Sequence, residues 1–183
     1  MRVISGSRKK RALRSLRGLE LRPTPDRVRE AIFDIIASEL SGRKVLDLFA
    51  GSGTLGIEAL SRGAKEAVFI ETHHEAARIL EENLRNCQFR EKGKVIRGRV
   101  EAGIKLLAKR GKSFDLIFLD PPYDKALIAR VLKALSPSKI LVPGSLVVAQ
   151  HSPREKFPEA LGRLTLEDQR RYGETLVSFF RAS

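Results

Sequence analysis

"VLDLFAGSGTLGIEAL", residues 45–60, decides the fold. Val45–Phe49 is an apolar run interrupted only by Asp47, short enough for a buried strand. The small-residue turn Ala50-Gly51-Ser52-Gly53 follows, and residues 53–62 then read as a helix. Glycines let a backbone turn sharply and approach a ligand closely. Gly51, Gly53 and Gly56 meet G-x-G-x-x-G spacing, whereas GxxxxGK[ST] is missing, so this is no phosphate-binding P-loop. Asp47, just upstream, would repel a pyrophosphate and suits a cationic ligand instead.

Working outward, short apolar runs alternate with amphipathic helices. Ala67–Glu71 reads as strand, 74–86 as helix, Lys94–Gly98 as strand and 101–110 as helix. Phe114–Asp120 is strand, 125–135 helix and Leu146–Gln150 strand. That rhythm predicts βαβ units and a parallel sheet covered on both faces. The end departs from it: Leu164–Arg170 and Thr175–Arg181 flank Tyr172-Gly173 with no helix between, which predicts a hairpin. The expected fold class is therefore α/β: a Rossmann-like, doubly wound, mostly parallel sheet of seven strands, one of them antiparallel, with a small basic N-terminal extension. Upstream, Thr24 is expected as N-cap and Pro25 as the first residue of a helix. Val28, Ala31, Ile32, Ile35 and Ile36 would form its buried face. Val3-Ile4 and Leu19–Leu21 are the expected strands of a small hairpin.

Composition narrows the partners. The chain has 183 residues, 42% of them hydrophobic, and a net charge of +13. That suits one soluble domain with a polyanionic partner. Residues 1–30 alone carry +7, with six cations between Arg8 and Arg17. Such a cluster reads as a phosphate-contacting arm, in which Arg8, Lys9, Lys10, Arg11, Arg14 and Arg27 are the candidate nucleic-acid contacts. The expected division is a basic extension with the first helix over 1–40 and a catalytic domain over 41–183. The start lacks the apolar core of a secretory signal. Its Arg- and Ser-rich, acid-poor composition is also that of a mitochondrial transit peptide, but it runs straight into the motif at Leu21–Ile36. The lone Cys87 fits a reducing, cytoplasmic compartment.

Two further sites complete the pattern. Glu71 ends the second strand, where folds of this kind hold ribose hydroxyls. "DPPY", Asp120-Pro121-Pro122-Tyr123, ends the fourth strand, beside the first in a doubly wound sheet. Two prolines cannot continue a ladder, and Pro121 restricts Asp120 to extended conformations. The acid and the Pro121 carbonyl become fixed acceptors for the two N–H groups of a planar amine, on which Tyr123 would stack. Asp47 and the Gly-rich turn would suit the sulfonium and ammonium of S-adenosyl-L-methionine. No metal is expected, because His73 and His74 beside Glu71 and Glu75 lack a second cluster or a CxxC pair.

DLFAGSG, a strand-ending acid and DPPY resemble a class I S-adenosylmethionine-dependent methyltransferase of the amino-methylating type. "LRPTPDRVREAIFDII" with "LDLFAGSGTLGIEALSRGA" is similar to the bacterial 16S rRNA (guanine-N2)-methyltransferases of the RsmD type, over nearly the whole chain. The resemblance implies a guanine N2 acceptor in small-subunit rRNA, within a ribosomal assembly particle. It places Asp47, Ala50, Gly51, Ser52, Gly53 and Thr54 at the methionine end, Glu71 at the ribose, and Asp120, Pro121, Pro122 and Tyr123 at the target amine. Where the family has Asp or Asn after the third strand, this chain has Arg99, which cannot accept a hydrogen bond, so the Val100 N–H is assigned to the adenine. An amino-methyltransferase of adenine N6 or of protein glutamine, and a noncatalytic RNA-binding assembly protein, are the alternatives. The small arm leaves little surface for reading duplex DNA, which favours a folded RNA.

Overall fold

The computed structural model describes residues 1–16, 25–122, 127–155 and 160–183. Helix α1 (Asp26–Ile35) precedes four βα repeats and a fifth parallel strand: β1 (Lys44–Leu48), α2 (Thr54–Ser61), β2 (Glu66–Glu71), α3 (His74–Asn86), β3 (Gly93–Arg97), α4 (Val100–Lys109), β4 (Phe114–Leu119), α5 (Leu127–Leu135) and β5 (Leu141–His151). Three strands without helices close the chain: β6 (Ala160–Leu161), β7 (Leu164–Tyr172) and β8 (Thr175–Ala182). The sheet order is β3-β2-β1-β4-β5-β8-β7-β6. β1 to β5 are parallel, and β8 runs antiparallel to β5 and β7. The sheet thus has the expected mostly parallel, doubly wound form. Its count is eight because the two-residue β6 adds to the edge of β7, a segment too short to leave a periodic signal.

Alternation along the central strands builds two cores. Val45, Phe69 and Phe118 face one side, under α1, α2 and α3. Leu46, Leu48, Ile70, Ile117 and Leu119 face the other, under α4 and α5. Asp47 has the parity of the first face and is 1% exposed, a carboxyl group set among phenylalanines.

The start of the chain differs from expectation in three ways. Pro25 is the N-cap of α1 rather than its first residue, so the helix starts at Asp26, one position after the predicted start, and the Pro25 carbonyl accepts from the Val28 and Arg29 N–H groups. Thr24, like Leu19–Leu21, lies outside the described residues. Ile35 is exposed, and the buried face of α1 is instead Val28, Arg29, Ile32, Phe33 and Ile36. Phe33 packs on Phe118 with centroids 5.6 Å apart, and the Arg62 guanidinium lies over its ring at 4.9 Å. Finally, Val3 pairs with residues 10–11, donating to the Arg11 carbonyl and accepting from the Lys10 N–H, both at 2.9 Å. Lys10 takes φ 68° at this turn.

Candidate active site

Register brings the site residues together. Leu48 pairs with both Ile70 and Leu119, so Phe49, Glu71 and Asp120 leave the sheet at one level. Between β1 and α2 the chain must rise off the sheet and reverse, and Phe49 (φ 64°), Gly51 (φ 55°) and Gly53 (φ 84°) all take left-handed backbone to do so. A left-handed phenylalanine is a strained choice that neighbouring bonds must hold. Those bonds are present: Ala50 N–H donates to the Ile70 carbonyl at 3.0 Å and Gly53 N–H to the Ala50 carbonyl at 2.7 Å.

The three loop glycines have different reasons to be glycine. A Cβ on Gly53 would stand 2.1 Å from Leu80 Cδ1, and one on Gly56 2.2 Å from the Phe69 ring. Both are packing requirements: Gly56 lets α2 sit close on the sheet, and Gly53 lets the loop close onto α3. A Cβ on Gly51 would meet nothing within 4 Å. Gly51 therefore borders open space where a ligand can lie directly against backbone.

Carboxylates surround that space. Glu71 accepts the Gly51 N–H on one oxygen and the His73 N–H on the other, each at 2.7 Å. Its own carbonyl accepts from Gly98 N–H at 3.0 Å, which draws the end of β3 into the cradle. Asp47 lies beneath the loop and accepts the Gly56 N–H at 2.9 Å. Burial pushes the Asp47 carboxyl from its ordinary 3.8 up to about 8; the Gly56 bond opposes this, and the charges of Asp120 and Glu71 add to it. Three acids thus share one field. Without a cation among them the deepest is held neutral, and a cationic group in the cradle would favour its ionised form.

Asp120 is half-buried at the end of β4, with Pro121 buried and Pro122 half-buried behind it. Tyr123 lies outside the described residues. Ala50, Gly51, Ser52, Gly53 and Thr54 form the loop and the start of α2. Val100 is the first residue of α4, where backbone N–H groups have no partner within the helix. Arg99, its N-cap, is exposed and makes no capping bond with its side chain.

The arm candidates separate into two groups. Arg8 is committed internally: it donates to the Cys87 carbonyl at 2.8 Å and to Gln88 at 2.7 Å, over the Phe89 ring. Arg14 pairs with Glu82 at 2.6 Å. Lys9, Lys10, Arg11 and Arg27 are exposed and, among the described residues, in no ion pair.

Two residues that local patterns did not single out join arm to site. Glu58, 1% exposed, accepts the N–H groups of Ile4 (2.7 Å) and Ser5 (2.9 Å) and pairs with Arg62. Asn83, fully buried on α3, accepts from Arg14 N–H and donates to both the Arg14 and Ser52 carbonyls, all at 2.9 Å. One amide thus ties the arm to the Gly-rich loop.

Comparison with known proteins bears on the family and the fold. The family model described as "Conserved hypothetical protein 95" matches residues 1–181. The chain belongs to this family. A relative from Bacillus subtilis, YlbH, is 38% identical over 181 residues, covering 99% of this chain and 98% of its own; its name gives rRNA methyltransferase as a proposed activity. The Ribosomal RNA small subunit methyltransferase D of Escherichia coli is 29% identical, covering 99% of this chain and 89% of its own. An RNA methyltransferase from Salinibacter ruber, solved with S-adenosyl-L-homocysteine, superposes with a TM-score of 0.66 over 87% of this chain and 93% of its own. At 16% identity that likeness concerns the fold alone.

Proposed function

We propose that this chain is an S-adenosyl-L-methionine-dependent rRNA methyltransferase that modifies the exocyclic N2 of a guanine in small-subunit rRNA. The observation that carries the reading is the meeting of Asp120-Pro121-Pro122 with an acid-lined glycine loop at one end of the sheet. Family membership and the rRNA methyltransferase names of its relatives support the substrate class.

The residues fit the cofactor. The space beside Gly51 admits it against backbone, Glu71 offers carboxylate oxygens for ribose hydroxyls, and the acidic field suits its positive charges. The Val100 N–H is assigned to the adenine. When bound, S-adenosyl-L-methionine supplies an electrophilic methyl group on a sulfonium. The chain's own work is then positional. An exocyclic amine is a poor nucleophile because its lone pair is conjugated with the ring. The Asp120 carboxylate and the Pro121 carbonyl each accept one N–H, which turns the lone pair out of conjugation. As the nitrogen lone pair took the methyl carbon, the carbon–sulfur bond would break with its electron pair returning to sulfur to leave a neutral thioether, and nitrogen would shed one proton, for which Asp120 is the proposed acceptor. Tyr123 is assigned the stacking of the base. Lys9, Lys10, Arg11 and Arg27 are proposed to hold phosphates, with Arg8 and Arg14 fixing the segment that presents them. The proposed substrate is rRNA within an assembling small subunit, met in the cytoplasm. Among the described residues no helix is long and apolar enough to cross a membrane.

The deciding experiment offers radiolabelled S-adenosyl-L-methionine with small-subunit particles from unmethylated cells, free rRNA and DNA in parallel, followed by nucleoside analysis. N2-methylguanosine from rRNA substrates alone is expected. Label in N6-methyladenine would move the reading to an adenine methyltransferase. Bound cofactor with no label transferred would overturn the nucleic-acid reading in favour of a protein acceptor or a noncatalytic role.

A further inference from the structure

The strongest feature outside the site lies at the opposite end of the sheet. The amino ends of β2, β3 and β4 border a cleft of about 360 Å³ whose lining includes Arg90, Lys92, Lys94, Arg110 and Lys112 against two acids, Glu66 and Glu91, a net of +3. A second cleft shares Arg90 and Lys94 and adds Arg85. All six cations are exposed, and among the described residues none of them is in an ion pair. Elsewhere the arginines of this chain are commonly paired, as Arg97 is with Glu81, Arg130 with Glu101 and Arg181 with Glu39.

Protection of the open β3 edge explains only part of this. A lysine on an edge strand discourages pairing with another sheet, and Lys94 serves that purpose. The remaining cations come from other segments: Arg90 and Lys92 from the turn before β3, Arg110 and Lys112 from the turn before β4. Edge protection does not need three segments to aim charge into one cleft. Unpaired, convergent, exposed cations at a concave surface match a phosphate backbone, which is bound through charge and shape.

We infer that the clefts at the amino ends of β2, β3 and β4 are a second RNA-backbone contact, at the opposite end of the sheet from the catalytic residues and next to the point where Arg8 of the arm is anchored on residues 87–89. This rests on the rRNA reading for the identity of the RNA. The length of β2 sets the two ends about 17–20 Å apart at ~3.3 Å per residue. The two surfaces can therefore grip different parts of one folded RNA.

The test compares two full-length variants with equal loss of charge. The first combines Arg90→Gln, Lys92→Gln, Lys94→Gln, Arg110→Gln and Lys112→Gln. The second combines Lys133→Gln, Lys139→Gln, Arg163→Gln, Arg170→Gln and Arg171→Gln, near α5 and the far sheet edge. Nine of the ten positions are exposed and Arg163 is half-buried, and unchanged melting temperatures confirm folding. Affinity for protein-free small-subunit rRNA is measured across salt concentrations, with polyglutamate as a second anion. The first variant is expected to lower the salt slope by about 2–4, at ~0.7–0.9 per phosphate contact. It should also raise KM for RNA about tenfold with kcat unchanged. The second should lower the slope by less than about one. Equal effects of the two variants, an unchanged slope in the first, or a loss confined to polyglutamate would overturn the inference. If the wild type methylates no rRNA, the functional reading falls, while the salt slopes still decide this surface.

Discussion

At the carboxyl ends of β1, β2 and β4, Asp47, Glu71 and Asp120 face one loop; at the amino ends of β2, β3 and β4, five cations face one cleft. The same parallel sheet separates them. In a chain of net charge +13 the acidic end is the exception, and one of its carboxyls is buried against the preference of a charged group for water. The difference teaches how a cationic protein can handle a polyanion without letting it occupy the wrong place. On the proposed reading, positive surfaces collect phosphates, whereas the acids would exclude phosphates from the cradle and admit a cation and the neutral edge of a base.

The comparison breaks most severely at Asp120. Asp120→Ala is expected to lower methyl transfer by about 10³-fold, with cofactor affinity within a few-fold of wild type by calorimetry. A comparable loss of cofactor binding would assign Asp120 to the cradle rather than to the amine. Next is Glu71→Gln, which preserves shape but replaces one acceptor oxygen by an amide that cannot accept from both Gly51 and His73. Cofactor affinity should weaken about 10–100-fold, for a lost charge-assisted bond and an unpaired N–H.

Asp47 sharpens the comparison through pH. Its folded pKa stands above the unfolded value, so its stabilising contribution is complete below about pH 4 and is lost as pH rises through about 8. The cofactor-free protein should therefore melt at lower temperature at pH 8 than at pH 5, to the extent that Asp47 governs the profile. Asp47→Asn should flatten that profile, raise the melting temperature at pH 8 by several degrees and weaken cofactor binding. A variant profile parallel to wild type would show that Asp47 is not the titrating group. The smallest effect is expected from Lys9→Gln, Lys10→Gln and Arg11→Gln together: a fall in RNA salt slope of about 1–2 with stability unchanged. Adding Arg8→Gln should lower the melting temperature as well, because Arg8 alone of the four holds internal groups.

Much of this was legible because parallel strands and amphipathic helices leave different periods in the sequence. Asp47, Glu71 and Asp120 could be aligned by counting strands, since adjacent parallel strands end at the same level. Long-range polar bonds leave no such period. Nothing near Asn83 or Glu58 announces that they bind residues 53–69 positions away. Helix α1 shows a third kind of limit. Val28, Ile32 and Ile36 mark the centre of its stripe, but Phe33 and Ile35 flank that line on opposite sides, and both are apolar. Only the presence of Phe118 and Arg62 on one side decides between them.

Asn83 makes the arm and the loop a single joint. Its one side chain holds Arg14 on one side and Ser52 on the other, so on the proposed function RNA drawing on the arm and cofactor settling into the loop would act on the same amide. Reciprocity then ties the two binding events together: whatever factor the cofactor applies to RNA affinity, RNA must apply to cofactor affinity. On that reading, the coupling between the two proposed sites would pass through a single buried side chain.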